Sequence, residues 1–456
     1  MKKQASIVLA CALAAEAALG GLENVEQNFM KDEVKDFRLL GQHEVDDALA
    51  TVVAGKMVFV ASRDNGLIAI DSDLKKVVWE KHFGEPPKAK HGCDESLAAA
   101  PAVSGDGQRI YLLTGDGMLR TLNQADGTEA EAAKTFVRAG VKAAPLTMVG
   151  DMIYTATHSG CGHEGTVWAM DTSDPEARAK STKLGADVAG LFINGRIFAQ
   201  TEDGPLDPAN GMYGGSLVEL DKDLIVKQYF ILPEGPGKKA SPGMNVTAPI
   251  SFKFQGVELV ATVGKDGCVY LLKAADLGTA DHHHFVAKSV VVPAMDGEKG
   301  HGIRGGITSW EDADGWRYVM VPVWGPLSDD LKAGIEEASS PHGSIVVFKV
   351  EKDKDGVAGL KPVWVSRDMD SPAAPVIADG VVFELANGPK KKKAHATLFA
   401  FDGSTGKELY STGDQITAAG NLGGVTIANG RVYFVTADDV VRVFGKPFST
   451  TAPERH

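Results

Sequence analysis

The chain is predicted to fold as an all-β, eight-bladed β-propeller of four-stranded antiparallel blades, its ring closed by an N-terminal strand. Three observations predict this. A strand opened by glycine and closed by a polar turn recurs from Gly66-Leu67-Ile68-Ala69-Ile70-Asp71 onward, and the leading glycines at 66, 117, 165, 215 and 267 stand 48 to 52 residues apart. A second apolar run, rich in β-branched and aromatic residues, precedes each copy. A shorter Ala-Pro segment precedes several of those runs. Four short strands in a unit of about fifty residues describe a propeller blade.

The first blade takes Met57 to Ala61 and Gly66 to Asp71, the second Ile110 to Thr114 and Gly117 to Asn123, the third Met152 to Ala156 and Gly165 to Asp171. The fourth takes Arg196 to Gln200 and Gly215 to Asp221, and the fifth Leu259 to Val263 and Gly267 to Leu272. In the sixth, Tyr318 to Val323 is separated from Gly343 to Phe348 by an insertion over 324–342, which lengthens the glycine step to 76 residues. The seventh takes Val381 to Leu385 and Thr397 to Asp402, and the eighth Arg431 to Val435 and Asp439 to Phe444. Ala100-Pro101-Ala102-Val103, Ala144-Pro145-Leu146, Ala248-Pro249-Ile250 and Ala374-Pro375-Val376 are read as the first strands of their blades. The eighth unit ends at about Pro447, before an outer strand, while Lys35 to Leu40 precedes the first unit without a blade of its own. That segment is expected to complete the last blade, giving one propeller over 21–447, a leader over 1–20 and a tail over 448–456.

The 456 residues are 44% hydrophobic and 23% charged, the balance of a folded chain rather than a disordered one. A net charge of −13 repels phosphate backbones, so nucleic acid is excluded as a partner. The four cysteines, Cys11, Cys93, Cys161 and Cys268, make no CxxC or CxxCH motif, which excludes a zinc ribbon and a covalent c-type haem. Lys2 and Lys3, the apolar run from Ala5 to Ala15 and the small residues around Glu16 follow the order of a secretory signal. Export, to the periplasm of a bacterium or an equivalent compartment, is therefore expected. Membrane association is expected only if Cys11, in the lipobox-like Val8-Leu9-Ala10-Cys11, is lipidated.

Ala69-Ile70-Asp71 with Lys76 and Trp79, and Ala400-Phe401-Asp402 with Gly406-Lys407 and Tyr410, resemble the tryptophan-docking repeat of the pyrroloquinoline quinone (PQQ)-like propellers. The resemblance covers nearly all of the chain after residue 45 and implies the fold. It does not imply one activity, because that family includes PQQ-dependent alcohol dehydrogenases and cofactor-free scaffolds, such as the lipoprotein that assists outer-membrane protein assembly. The chain departs from the large dehydrogenases of the family in having no adjacent cysteine pair, no c-type haem motif and no calcium triad that can be placed.

Candidate site residues are sorted by face, since loops joining blades and loops joining second to third strands share one rim. His91-Gly92-Cys93-Asp94-Glu95, the loop His158 to Glu164, Gly300 to Gly306 and the insertion beginning at Trp324 all belong to that rim. His158, His163 and His91 are the candidate metal ligands. Cys93 and Cys161 are read as a disulfide between neighbouring blades, as further ligands, or as two separate thiols. Arg304, between glycines, is the candidate for an anionic ligand, with Trp324 as a stacking surface and His301 beside them. Trp310 is expected to pack within a blade, Cys268 to be buried, and His282-His283-His284 and the run Lys390 to Lys393 to be solvated loops. Two main functions remain open: an exported scaffold that binds a small-molecule ligand or another exported protein through this rim, or a divergent quinoprotein oxidoreductase acting on an alcohol or similar small substrate. The resemblance gives the second PQQ and a divalent metal such as calcium, Arg304 on the quinone carboxylates, and Asp94 or Glu95 as base. A metal-dependent hydrolase or lyase using His158, His163 and His301 is a third reading.

Overall fold

In five of the blades the first and second strands are joined by two-residue hairpins, the shortest the backbone allows. At Gln255-Gly256, Asp379-Gly380 and Asn429-Gly430 both turn residues have positive φ, between 49° and 82°, the conformation of a two-residue turn whose twist matches the flanking strands. Glycine at the second place accepts that conformation without the Cβ clash that any other residue would meet. The protein's structure, a computed structural model, describes residues 31–84, 99–159, 164–234, 243–335, 340–352, 354, 356–389, 394–421 and 423–447.

Among those residues the strands form eight antiparallel blades in a ring. The first blade runs Ala48–Ala54, Met57–Ser62, Gly66–Asp71 and Val77–His82 from its inner to its outer strand. The pattern repeats through the seventh blade, with an added two-stranded hairpin in the fourth, Leu206–Asp207 with Met212–Tyr213, and an inner strand split in two in the sixth. The eighth blade takes Thr426–Ala428, Arg431–Val435 and Val440–Gly445 from the C-terminal part of the chain, and its outer strand is Arg38–Glu44. Arg38 pairs with Gly445 and Glu44 with Val440, so the expected ring closure is present.

Two boundaries differ from the sequence reading. The closing strand is shifted toward the C-terminus relative to Lys35 to Leu40, because Lys31–Asp36 winds into a 3-10 helix that buries Val34 against the seventh blade. The Ala-Pro segments also precede their strands rather than lie inside them: the strands are Ala102–Val103, Thr147–Val149, Ile250–Phe254 and Val376–Ala378. Proline has no N–H to give a ladder and so sits at or before a strand's start.

The core is distributed between blades. Phe252, Leu259 and Leu271 of the fifth blade pack with Val319, Val346 and Phe348 of the sixth, and Val58, Val60 and Ile70 of the first pack with Tyr433, Val441 and Val443 of the eighth. Tryptophan docking reinforces two of these interfaces. The Trp364 indole donates to Gly403 O at 3.0 Å and lies where a Cβ on Gly406 would be 2.6 Å from its ring. Trp79 does the same in the second blade, with Gln124 O at 2.9 Å and Gly127 beneath its ring. Trp310 packs as expected, stacked on Tyr318 with ring centroids 5.4 Å apart and lying against Gly380 and Gly403 of the next blade.

Trp364→Ala is expected to lower stability by about 3–5 kcal/mol, read as a shift in the urea midpoint. The half-exposed Trp316, stacked only by Lys349, should cost less than about 1 kcal/mol on the same change. Gly41 lies where a Cβ would be 2.0 Å from Asp73 O of the first blade. Gly41→Val should therefore destabilise by about 1–3 kcal/mol and increase proteolytic cleavage at the N-terminal segment.

Candidate functional site

Loops between second and third strands and loops between blades emerge on one rim, and blades differ in how much chain they place there. In the first, second and eighth blades the rim turn is short and satisfies itself. Ser62, Thr114 and Thr436 hydroxyls donate to Asp64, Asp116 and Asp438 two residues on. Asp116 and Asp438 are then paired with Arg120 and Arg442 at 3.1 and 2.9 Å. The third, fourth, sixth and seventh blades instead carry long rim connections, over 158–165, 202–215, 325–342 and 387–396. Chemistry beyond structure is concentrated there.

In the sixth blade the inner strand is interrupted. Gly302–Ile303 pairs with Val323 and Trp324, Thr308–Glu311 pairs with Arg317 to Met320, and Arg304 falls in the gap. The Asn245 amide donates to Ile303 O at 3.0 Å from the preceding inter-blade loop and holds the upper piece in place. Trp324 ends its strand with its indole N–H on Pro372 O at 2.7 Å, and the Arg304 guanidinium lies 5.6 Å from the ring centre. The Arg304 Nε is shielded from solvent and has no hydrogen-bond partner among the described residues. Trp324 thus lies beside Arg304, its ring within reach of the guanidinium. His301, named with them from the sequence, lies against Gly325 and is paired with Asp296 at 2.8 Å and Glu298 at 3.6 Å.

The insertion is anchored. Ser328 caps a short helix, Asp329–Gly334, by accepting from Leu331 N at 3.1 Å, and Leu331 is buried in the core between the fifth and sixth blades. His342 at its far end is 2.6 Å from Asp368. The described parts of the insertion are therefore held at both ends, by Leu331 in the core and by His342 against Asp368.

On the rim of the third and fourth blades, His158 meets two carboxylates that the sequence reading missed, Asp187 and Glu202, with one ligand-type atom from each within 4.8 Å of the others. Each sits at a strand end: His158 follows Met152–Thr157, Glu202 follows Ile197–Thr201, and Asp187 precedes Val188–Ile193. Reading the first residue after every second strand of a blade would have found His158 and Glu202 together. Burial holds the His158 imidazole below the usual histidine range, with Asp187 acting in the opposite sense. Burial also raises the Glu202 carboxyl, and the neighbouring Asp187 adds to it.

His91, Cys93, Asp94, Glu95, Cys161 and His163 lie outside the described residues, as does the run Lys390 to Lys393. Cys268 is buried as expected, its thiol pushed up to about 11 chiefly by desolvation. Of the three adjacent histidines, His284 is exposed as expected, while the other two also hold the neighbouring blade: His282 stacks on Tyr229 at 3.8 Å, its carbonyl accepts from Ile231 N at 2.9 Å, and His283 Nδ1 is 3.2 Å from Ile231 O. The loop covers the outer edge of the fourth blade, where unpaired strand groups would otherwise face water or another chain. Among the described residues, no helix is long and apolar enough to cross a membrane.

Residues 40–179 match the family model described as Outer membrane protein assembly factor BamB. No curated protein matches the chain in sequence. Among solved structures, a quinohemoprotein alcohol dehydrogenase from Comamonas testosteroni aligns with a TM-score of 0.60 at 13% identity, over 95% of this chain and 79% of that one. A europium-containing methanol dehydrogenase aligns with a TM-score of 0.58 at 14% identity, over 91% and 86%. Sqt1 of Saccharomyces cerevisiae aligns with a TM-score of 0.59 at 12% identity, over 90% and 99%. Likeness at these identities is likeness of fold. Repeat sequence, docked tryptophans and ring architecture agree on an eight-bladed β-propeller, whose residues 40–179 match a PQQ-like repeat model and whose docked tryptophans resemble that repeat elsewhere.

Proposed function

We propose that this chain is an exported binding propeller that holds an anionic ligand, or an acidic group of a protein partner, at the decorated rim. The supporting observation is Arg304, set in the gap of an inner strand, backed by Trp324, with its Nε shielded and unpartnered among the described residues. A polar atom left in that state costs stability, and a guanidinium is suited to planar carboxylates and phosphates. The order of charged, apolar and small residues at Lys2 to Ala17 supports export.

The quinoprotein reading needs more than an arginine. PQQ is a flat tricarboxylate that would also need a ring platform and, with calcium, a set of oxygen ligands. No two cysteines are adjacent, and the ligand-type cluster on the rim includes an imidazole and comes from the third and fourth blades rather than the sixth. The described residues do not fit PQQ with calcium, and Asp94 and Glu95, the expected bases, lie outside them. No step through the quinone is derived.

Arg304→Met should keep or raise the unfolding midpoint, by up to about 1–3 kcal/mol, because it removes an unsatisfied buried polar atom. The same variant should lose binding of citrate, a carboxylate-rich probe, followed through tryptophan fluorescence in the wild type. Equal citrate binding by both proteins, or none by the wild type, overturns the assignment of Arg304. Reconstitution with PQQ and calcium should give no dye reduction with a panel of alcohols; alcohol-dependent reduction would restore the oxidoreductase reading.

A further inference from the structure

The cluster between the third and fourth blades is independent of Arg304 and is not used by the reading above. We propose that His158, Asp187 and Glu202 form a binding site for a divalent first-row transition metal. Their ligand-type atoms converge within 4.8 Å of one another from three separate segments of chain. The His158 Nε2 is shielded from solvent and has no hydrogen-bond partner among the described residues, so the imidazole carries a nitrogen that no structural bond occupies.

The backbone at each member is fixed. His158 N donates to Lys142 O at 3.0 Å, and Glu202 N donates to Asp187 O at 2.8 Å, which ties two of the ligand segments directly together. The Asp187 carboxylate accepts from Ser159 N and, at 2.8 Å, from the Ser159 hydroxyl. Such outer hydrogen bonds orient a ligating carboxylate. The segments are also wedged together: a Cβ on Gly165 would be 2.7 Å from Ala186 O and 2.8 Å from Asp187 Oδ1, and one on Gly204 would be 2.7 Å from Ala186 Cβ. The cluster is therefore assembled by packing before any ion arrives.

Donor chemistry selects the class of ion. One imidazole nitrogen and two carboxylates suit zinc, cobalt or manganese, whereas calcium takes six to eight oxygen ligands and gains little from an imidazole. Three protein ligands leave coordination positions for water or for a small ligand's donor atom.

The test uses the full chain, stripped with a chelator and titrated separately with zinc, cobalt, manganese and calcium by calorimetry and equilibrium dialysis. The expected result is one equivalent of zinc or cobalt per chain, visible ligand-field bands with cobalt, and weaker calcium binding. His158→Ala and Glu202→Gln should each weaken zinc binding by about 10-fold or more, while His283→Ala/His284→Ala leaves it unchanged. Glu202→Gln preserves the side chain's size, and near-UV circular dichroism of the stripped proteins separates loss of a ligand from loss of fold. The proposal is overturned if no transition metal binds, if calcium binds in preference, if binding survives both ligand substitutions in folded protein, or if the surface histidine variant removes it.

Discussion

The pairing of Arg38–Glu44 with Val440–Gly445 is the interaction on which the rest of the molecule depends. Every blade buries its faces against its neighbours, so an open ring would leave two apolar blade faces in water. Bringing the chain's two ends together costs about 5 kcal/mol in closure entropy for a loop of this length. The closing segment recovers it over three blades. It ladders onto the eighth, places Val34 and Phe37 among Phe383, Leu398 and Phe434, and sets Gly41 directly against Asp73 of the first. Lys31 to Asp402 at 2.6 Å fastens its start to the seventh blade.

Once the ring is closed, its two faces take different roles. On one, two-residue hairpins such as Asn429-Gly430 leave little chain to vary. On the other, the first, second and eighth blades use turns in which a hydroxyl and an aspartate satisfy one another, with an arginine added in the second and eighth. The third, fourth, sixth and seventh blades depart from that economy, and two shielded polar atoms near the rim have no hydrogen-bond partner among the described residues: His158 Nε2 in the third blade and Arg304 Nε in the sixth. Burying a polar atom without a partner is a cost that folding alone does not select. The two locations belong to different blades and differ in chemistry, a cation in one case and a cluster of ligating groups in the other.

Much of this was legible in the sequence for specific reasons. The glycine-led strand at Gly66, Gly117, Gly165, Gly215 and Gly267 recurs because each blade repeats the same turn, and the missing outer strand of the eighth unit pointed to the segment near Lys35. Trp79 stands in the docking repeat of the sequence, and its indole finds the glycine it needs, Gly127, in the following blade; Trp364 docks over Gly406 in the same way. The contacts of His282 and His283 were not legible because their partners, Tyr229 and Ile231, belong to the preceding blade and nothing in the local sequence names them. Trp324 and Arg304, named together from the sequence, do lie together at the start of the insertion.

The sequence by itself determined the strand periodicity, the number of blades and the closure of the ring, because each follows from local turn chemistry and alternating burial repeated at nearly constant spacing. Only the tertiary structure decided which rim residues meet. His158, Asp187 and Glu202 are adjacent because the residue after a second strand in one blade, the residue before the next blade's inner strand and the residue after that blade's second strand reach the same level of the rim. That coincidence is set by how neighbouring blades stack, and blade stacking leaves no fixed spacing in the chain.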